Sequence, residues 1–202
     1  MTQEERRMQM QERILSAACH EFGRKTYEGA SVNLICEHGK FSKGVLYHYY
    51  PSKDDLFLGC VDHCFQSLTS YCIAHLPDPL PCSQEVVSAY FQCRHDFFSA
   101  FPDLEKLFSR VLANPPIHLL KQISALRRPF DELNYRLLSG LVNHQKRLPG
   151  MPLSDILALM ELYQSYCNRS QQMQEAAKQG MQACEELRQN YLDAFLHGVL
   201  SD

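Results

Sequence analysis

The chain has 202 residues, 45% of them hydrophobic and 21% charged, which suffices for a full core in one or two domains. Nine cysteines, odd in number and without a CxxC, exclude a disulfide framework and point to reduced thiols, while the polar opening MTQEERRMQMQE and the lack of any apolar run near roughly 20 residues exclude a secretory signal and a membrane span. A soluble, cytoplasmic protein is expected. The formal net charge of -3 says little about partners, but residues 1–56 balance eight Lys or Arg against eight Asp or Glu and so exclude a basic tail.

In chain order, Ile14, Ala18 and Phe22 recur at helical spacing with Leu15 beside them, predicting a helix over about residues 4–25. After Tyr27-Glu28-Gly29, Ser31 is a good N-cap for a short helix through Val32, Leu34 and Ile35 that ends near Gly39. Ser42 caps a second short helix, Lys43 to Tyr49. Pro51 cannot continue it, and Ser52 with Asp54 and Asp55 opens a further helix whose acids suit the positive end of its dipole. Segments of alternating Val, Ile and Thr are missing, so no sheet is expected.

Two short helices packed on a longer one make a helix-turn-helix outline. In the second of them Leu46 and Tyr50 stand four residues apart and turn inward together, leaving Lys43, Tyr47 and Tyr49 to point elsewhere. Lysine, phenol and imidazole groups on a short exposed helix suit contact with a DNA backbone in the major groove. Any such role requires folding to sort the basic residues onto one face, because composition does not supply them in bulk.

The run RILSAACHEFGRKTYEGASVNLICEHGKFSKGVLYHYYPSKDDL, Arg13 to Leu56, resembles the DNA-binding domain of the TetR family of bacterial transcriptional regulators. It carries that family's Ile-Leu-x-Ala-Ala opening, its Tyr-x-x-x-Ser-Val segment and its Ser-x-Gly-x-Leu-Tyr-x-His-Tyr-type block ending in Lys-x-x-Leu. The resemblance covers about a quarter of the chain. It implies that Ser31 caps the second helix near a phosphate, that Ser42 and Lys43 begin the recognition helix, and that Gly44 lets the backbone approach DNA. Tyr47, Tyr49 and Lys53 would meet phosphates, and His48 would reach base edges or backbone. One position departs from the pattern. Lys40 stands where the family usually has glycine before the apolar turn residue, so either Lys40 takes a positive φ or the turn shifts by one residue.

Beyond residue 57, breakers at 75–83, 113–116 and 148–152 divide the chain into helices over about 57–75 (continuing the one from Ser52), 83–100, 102–113, 116–147, 153–180 and 182–200, with Pro129 kinking or breaking the longest near Arg128. The expected architecture is all-α: an N-terminal helix-turn-helix domain of three helices over 1–56, then a larger helical effector-binding and dimerisation domain over 57–202. Arg94 falls on an apolar face with Phe98, and Arg127 and Asn134 interrupt another; these three either line a ligand cavity or are paired within the protein. Phe65, Phe98, Tyr163 and Tyr166 would suit a partly apolar effector. Leu187, Tyr191, Leu192, Phe195 and Val199 form a broad apolar face that either makes a homodimer or packs on its own chain.

Two other classes of function compete. Cys60, His63 and Cys64 have i, i+3, i+4 spacing that could gather two thiolates and an imidazole for a metal or redox sensor, although both cysteines also fit the apolar stripe as small hydrophobes. For an enzyme there is no GxSxG, HExxH, phosphate loop or dinucleotide fingerprint, and Cys93, His95 and Asp96 point to different sides of a helix. No catalytic residue, resident metal or cofactor is therefore expected. The resemblance implies instead a homodimer that binds double-stranded operator DNA, usually as a repressor, and is released by a small-molecule effector.

Overall fold

The computed structural model describes residues 1–80, 84–144, 146–147 and 200–201. The fold is all-α: α1 (Gln3–Arg24), α2 (Val32–Gly39), α3 (Lys43–Tyr49), α4 (Lys53–His75), α5 (Gln84–Ala100), α6 (Pro102–Ala113), a single 3-10 turn (Ile117–Leu119) and α7 (Leu120–His144). A two-residue antiparallel pair, β1 (Lys146–Arg147) with β2 (Leu200–Ser201), is the one extended pairing among the described residues. The helices expected over 153–180 and 182–200 lie outside the described residues.

Local chemistry sets the helix ends. Thr2 and Glu5 form a reciprocal capping box at the start of α1. Ser31 and Ser42 cap α2 and α3 by accepting from Leu34 N and Val45 N. Ahead of α4, Ser52 Oγ accepts from Asp55 N at 3.0 Å and donates to Asp55 Oδ2 at 2.6 Å. Proline at the first position starts α6, where a missing N–H costs nothing.

The chain forms two compact units, one of residues 1–74 with 93–131, the other of 75–92 with 132–202. In the first, Ile14, Ala18 and Phe22 of α1 are buried, as are Ile35, Leu46, Leu56, Phe57, Val61, Leu107 and Phe108. Two polar contacts tie α1 to α6: His20 Nδ1 lies 2.9 Å from Asp103 Oδ2, and Arg110 Nε donates to Gly23 O at 3.3 Å. In the second unit Tyr90 is fully buried, packs edge-on against Phe91 and donates its hydroxyl to Asn134 Oδ1.

Pro129 does not break α7, contrary to the local expectation. A proline inside a helix costs about 3 kcal/mol through its lost hydrogen bond and its clash with the preceding turn. Both Pro129 and Ala125, whose carbonyl is left without that bond, are exposed, so water can reach the freed group. Ile123, Phe130, Leu133 and Leu137 bury the opposite face and hold the helix together.

Candidate nucleic-acid interface

α3 is divided between an inner and an outer face. Leu46 is fully buried and Tyr50, its partner four residues on, is half-buried. The Tyr50 ring lies so close to Gly59 of α4 that a Cβ there would stand 2.6 Å from Cε1, and Gln11 Nε2 of α1 donates to the Tyr50 hydroxyl at 3.4 Å. Tyr50 is therefore a core ring that fastens α3 to α1 and α4. The outer face carries Ser42, Lys43, Gly44, Tyr47 and His48, all exposed, with Tyr47 presenting 43% of its surface despite its aromatic ring. Tyr49 is half-buried and braces His48 edge to face at 5.5 Å. A Cβ at Gly44 would meet only Ser42 Oγ, at 3.8 Å, so nothing inside the protein demands glycine there.

The turn between α2 and α3 resolves the question raised by Lys40. Lys40 takes the left-handed conformation, φ 53° and ψ 48°, and the turn does not shift. Phe41 N donates to Cys36 O at 3.1 Å and Lys40 N to Glu37 O at 3.2 Å, the paired bonds of a helix C-cap that normally ends in glycine. Gly39 is needed for a different reason: a Cβ there would stand 2.0 Å from Phe41 Cε1, because the ring folds back over the helix end. Arg13 Nη2 of α1 donates to Lys40 O at 3.0 Å and secures the turn from outside.

Ser31 is half-exposed at the start of α2, its backbone N–H held by Glu21 Oε1 at 3.0 Å. Lys53 points back into the protein. Its Nζ donates to Ala30 O at 2.7 Å and Glu28 O at 3.4 Å and lies 4.8 Å above the Tyr27 ring. Sequence pattern alone gave no role to Tyr27, Glu21 or Arg13, although Tyr27 belongs to the motif that carries the family resemblance.

The other candidate residues separate. Phe65 and Phe98 pack on Phe108 at 5.4 and 5.1 Å, and Phe65 also meets Phe130. Arg94 is buried beside these rings, 5.3 Å from the Phe108 centroid and 5.6 Å from that of Phe130. Arg127 Nε is held by both carboxylate oxygens of Asp131, at 2.9 and 3.0 Å, and Asn134 accepts from Tyr90. Internal pairing thus describes Arg127 and Asn134. Tyr163 and Tyr166, and the apolar face of Leu187, Tyr191, Leu192, Phe195 and Val199, lie outside the described residues.

Cys60 and Cys64 are buried in the core, and burial pushes both thiols well above their ordinary range, with Cys19 adding to the effect. Cys64 Sγ instead donates to Leu104 O at 3.5 Å. Burial also lowers the His63 imidazole. A cysteine binds metal as its thiolate, which this setting opposes. Among the described residues no three His, Cys, Asp or Glu are arranged to hold a metal ion, and no helix is long and apolar enough to cross a membrane.

Residues 14–60 match the family model described as bacterial regulatory proteins, tetR family. The chain is 25% identical over 162 residues to the HTH-type transcriptional regulator RutR of Escherichia coli K12, a match covering 80% of this chain and 75% of that protein. Its fold is similar to that of the transcriptional regulator FadR from Bacillus subtilis, solved with stearoyl-CoA (TM-score 0.77, 12% identity, 93% and 98% of the two chains), and to SmeT, the repressor of the Stenotrophomonas maltophilia multidrug efflux pump SmeDEF (TM-score 0.71, 14% identity, 95% and 91%).

Proposed function

Given that this chain belongs to the TetR family of bacterial regulatory proteins, and is a DNA-binding regulator and not an enzyme, we propose that it is a cytoplasmic repressor that binds a palindromic operator as a homodimer and is released by a small-molecule effector. Residues 1–56 serve DNA and residues 57–202 serve effector and partner subunit. The observation that carries this reading is the division of α3: Leu46 and Tyr50 lock one face to α1 and α4, while Lys43, Gly44, Tyr47 and His48 stand exposed on the other.

Ser42 and Lys43 place a capped helix start and a cation at the entrance of the major groove, and Tyr47 and Tyr49 offer hydroxyls to phosphate oxygens. Backbone at Gly44 approaches DNA with no side chain in the way, and His48 reaches base edges or backbone. A two-fold dimer sets two such helices about 34–36 Å apart, one turn of B-DNA. Effector bound among the C-terminal helices favours a dimer with a different spacing, and the shift it causes equals its difference in affinity for the two states.

Fluorescence anisotropy on DNA from upstream of the protein's own gene, against scrambled DNA, tests the interface. Wild type prefers the upstream DNA in a salt-sensitive manner, and Tyr47→Ala and Lys43→Ala each bind more weakly. Equal binding by wild type and both variants would refute the assignment of α3.

A further inference from the structure

Tyr27 sits in the turn between α1 and α2, where a solvated side chain would be the ordinary expectation, yet groups surround it. Its ring lies parallel to Phe22 at 6.3 Å, meets Phe57 edge-on at 5.2 Å, and has Lys53 Nζ 4.8 Å above it. Its hydroxyl donates to Asp54 Oδ1 in the first turn of α4. His118, from the 3-10 turn that follows α6, closes the set: its ring is 5.2 Å from the Tyr27 ring and its Nε2 is 3.3 Å from the same Asp54 oxygen. One carboxylate oxygen thus joins a residue of the α1–α2 turn to a residue 64 positions further along the chain than itself.

The same turn is held from a second side. Lys53, next to Asp54, donates to the carbonyls of Glu28 and Ala30, and the residue after Ala30 is Ser31, the cap of α2. Ala30 N is bonded to Thr26 O at 3.0 Å and Ser31 N to Glu21 Oε1 at 3.0 Å, so the turn and the start of α2 move as one piece with Tyr27. Hydrogen bonding from Tyr27 and His118 keeps the Asp54 carboxyl below its ordinary range, in accord with an ionised acceptor shared between them.

We propose that Tyr27, Lys53 and Asp54 are positioning residues that fix the start of α2 for its phosphate contact, and that His118 is the group by which the segment after α6 governs that position. The proposal rests on the DNA-binding reading above and deepens it. Lys53 acts on DNA through the turn it holds. A shift of the 3-10 turn that withdraws His118 frees Asp54 and Tyr27, and the cap residue Ser31 loses its register with the phosphate. Positioning of this kind is sensitive to displacements far smaller than those that unfold a helix.

The test compares wild type with Tyr27→Phe, His118→Ala and His118→Gln, using operator DNA obtained by selection from genomic fragments. Glutamine places an amide nitrogen near where histidine has Nε2, so it retains a donor to Asp54 that alanine lacks. Affinity, the slope of log K against log salt, and thermal melting are measured together, with Lys43→Ala as an interface control. Expected is a drop in affinity on the order of tenfold for His118→Ala and Tyr27→Phe, with the salt slope shallower by about 0.9 for each phosphate that the variant no longer engages, and recovery of both readouts in His118→Gln. Wild-type affinity and slope in folded His118→Ala, or the same drop in His118→Gln as in His118→Ala, would overturn the proposal. If Tyr27→Phe fails to fold, the two His118 variants carry the test alone. Failure of the proposal with binding still weakened by Lys43→Ala leaves the DNA-binding reading intact, whereas wild type that selects no DNA sinks both.

Discussion

Gly44→Ala separates what α3 needs for folding from what it needs for DNA. Within the protein the added methyl has open space, since only Ser42 Oγ lies within 4 Å of it, at the ordinary packing distance of 3.8 Å. A glycine inside a helix costs about 0.8–1.0 kcal/mol relative to alanine, and Gly44 is the second residue of α3, where the effect is partial. The variant should therefore gain roughly 0.5 kcal/mol, a rise in melting temperature of about 1–2 °C for a domain of this size. Against DNA the methyl stands on the face proposed to approach the groove, and forcing a methyl into a packed interface typically costs about 1–3 kcal/mol. That corresponds to a loss of roughly fivefold to a hundredfold in affinity. No charge is removed, so the salt slope should hold. Thermal melting and anisotropy titrations at several salt concentrations measure both sides. Unchanged affinity in a stabilised variant would refute the close approach of the α3 backbone to DNA.

Further substitutions test the turn, the buried histidine and the thiols. Lys40→Gly relieves a φ of 53° and should stabilise by about 0.5–1 kcal/mol in urea titrations, since glycine's added freedom in the unfolded chain offsets part of the relief; no gain would mean that Lys40 is not strained. Gly39→Ala drives a methyl into the Phe41 ring and should cost about 1–3 kcal/mol, partly recovered in the double variant with Phe41→Ala. Additive losses would contradict that packing. Burial lowers the His63 imidazole below its ordinary 6.5, with Glu12 and Asp62 opposing; the unfolded chain then takes up the proton first, so stability falls as pH drops below about 6.5. His63→Gln should flatten that limb of a plot of urea midpoint against pH, and an unaltered limb would count against burial as the cause. Zinc or copper titrated into reduced protein should leave DNA affinity unchanged; a change at stoichiometric metal would revive the Cys60, His63 and Cys64 sensor.

Local rules made the DNA-binding half of the fold legible before any coordinates. Ser31 and Ser42 cap the helices whose starts they mark, and α3 runs from Lys43 to Tyr49 because a capping serine precedes it and Pro51 follows. The pairing of Leu46 with Tyr50 followed from helical spacing alone, and so answered which ring of Tyr47-His48-Tyr49-Tyr50 is core. Tyr27, Asp54 and His118 were invisible because their partners lie 27 and 64 residues apart in the chain and leave no periodic trace. Asp54 read as an acid at a helix start, which it also is. Lys53 read as a phosphate ligand, while its nearest acceptors turn out to be the carbonyls of Glu28 and Ala30. Pro129 shows the opposite failure, a sound local rule outweighed by the burial of Phe130 and its neighbours.

The central claim, a regulator that reads a two-fold DNA site, is tested most directly by selecting genomic fragments on the purified protein and footprinting the fragment that is most enriched. The account predicts a protected site with two related half-sites about 10 base pairs apart, or a multiple of one helical turn, and loss of that protection in Tyr47→Ala. Fragments enriched no further than scrambled DNA, or protection that Tyr47→Ala leaves intact, would contradict it.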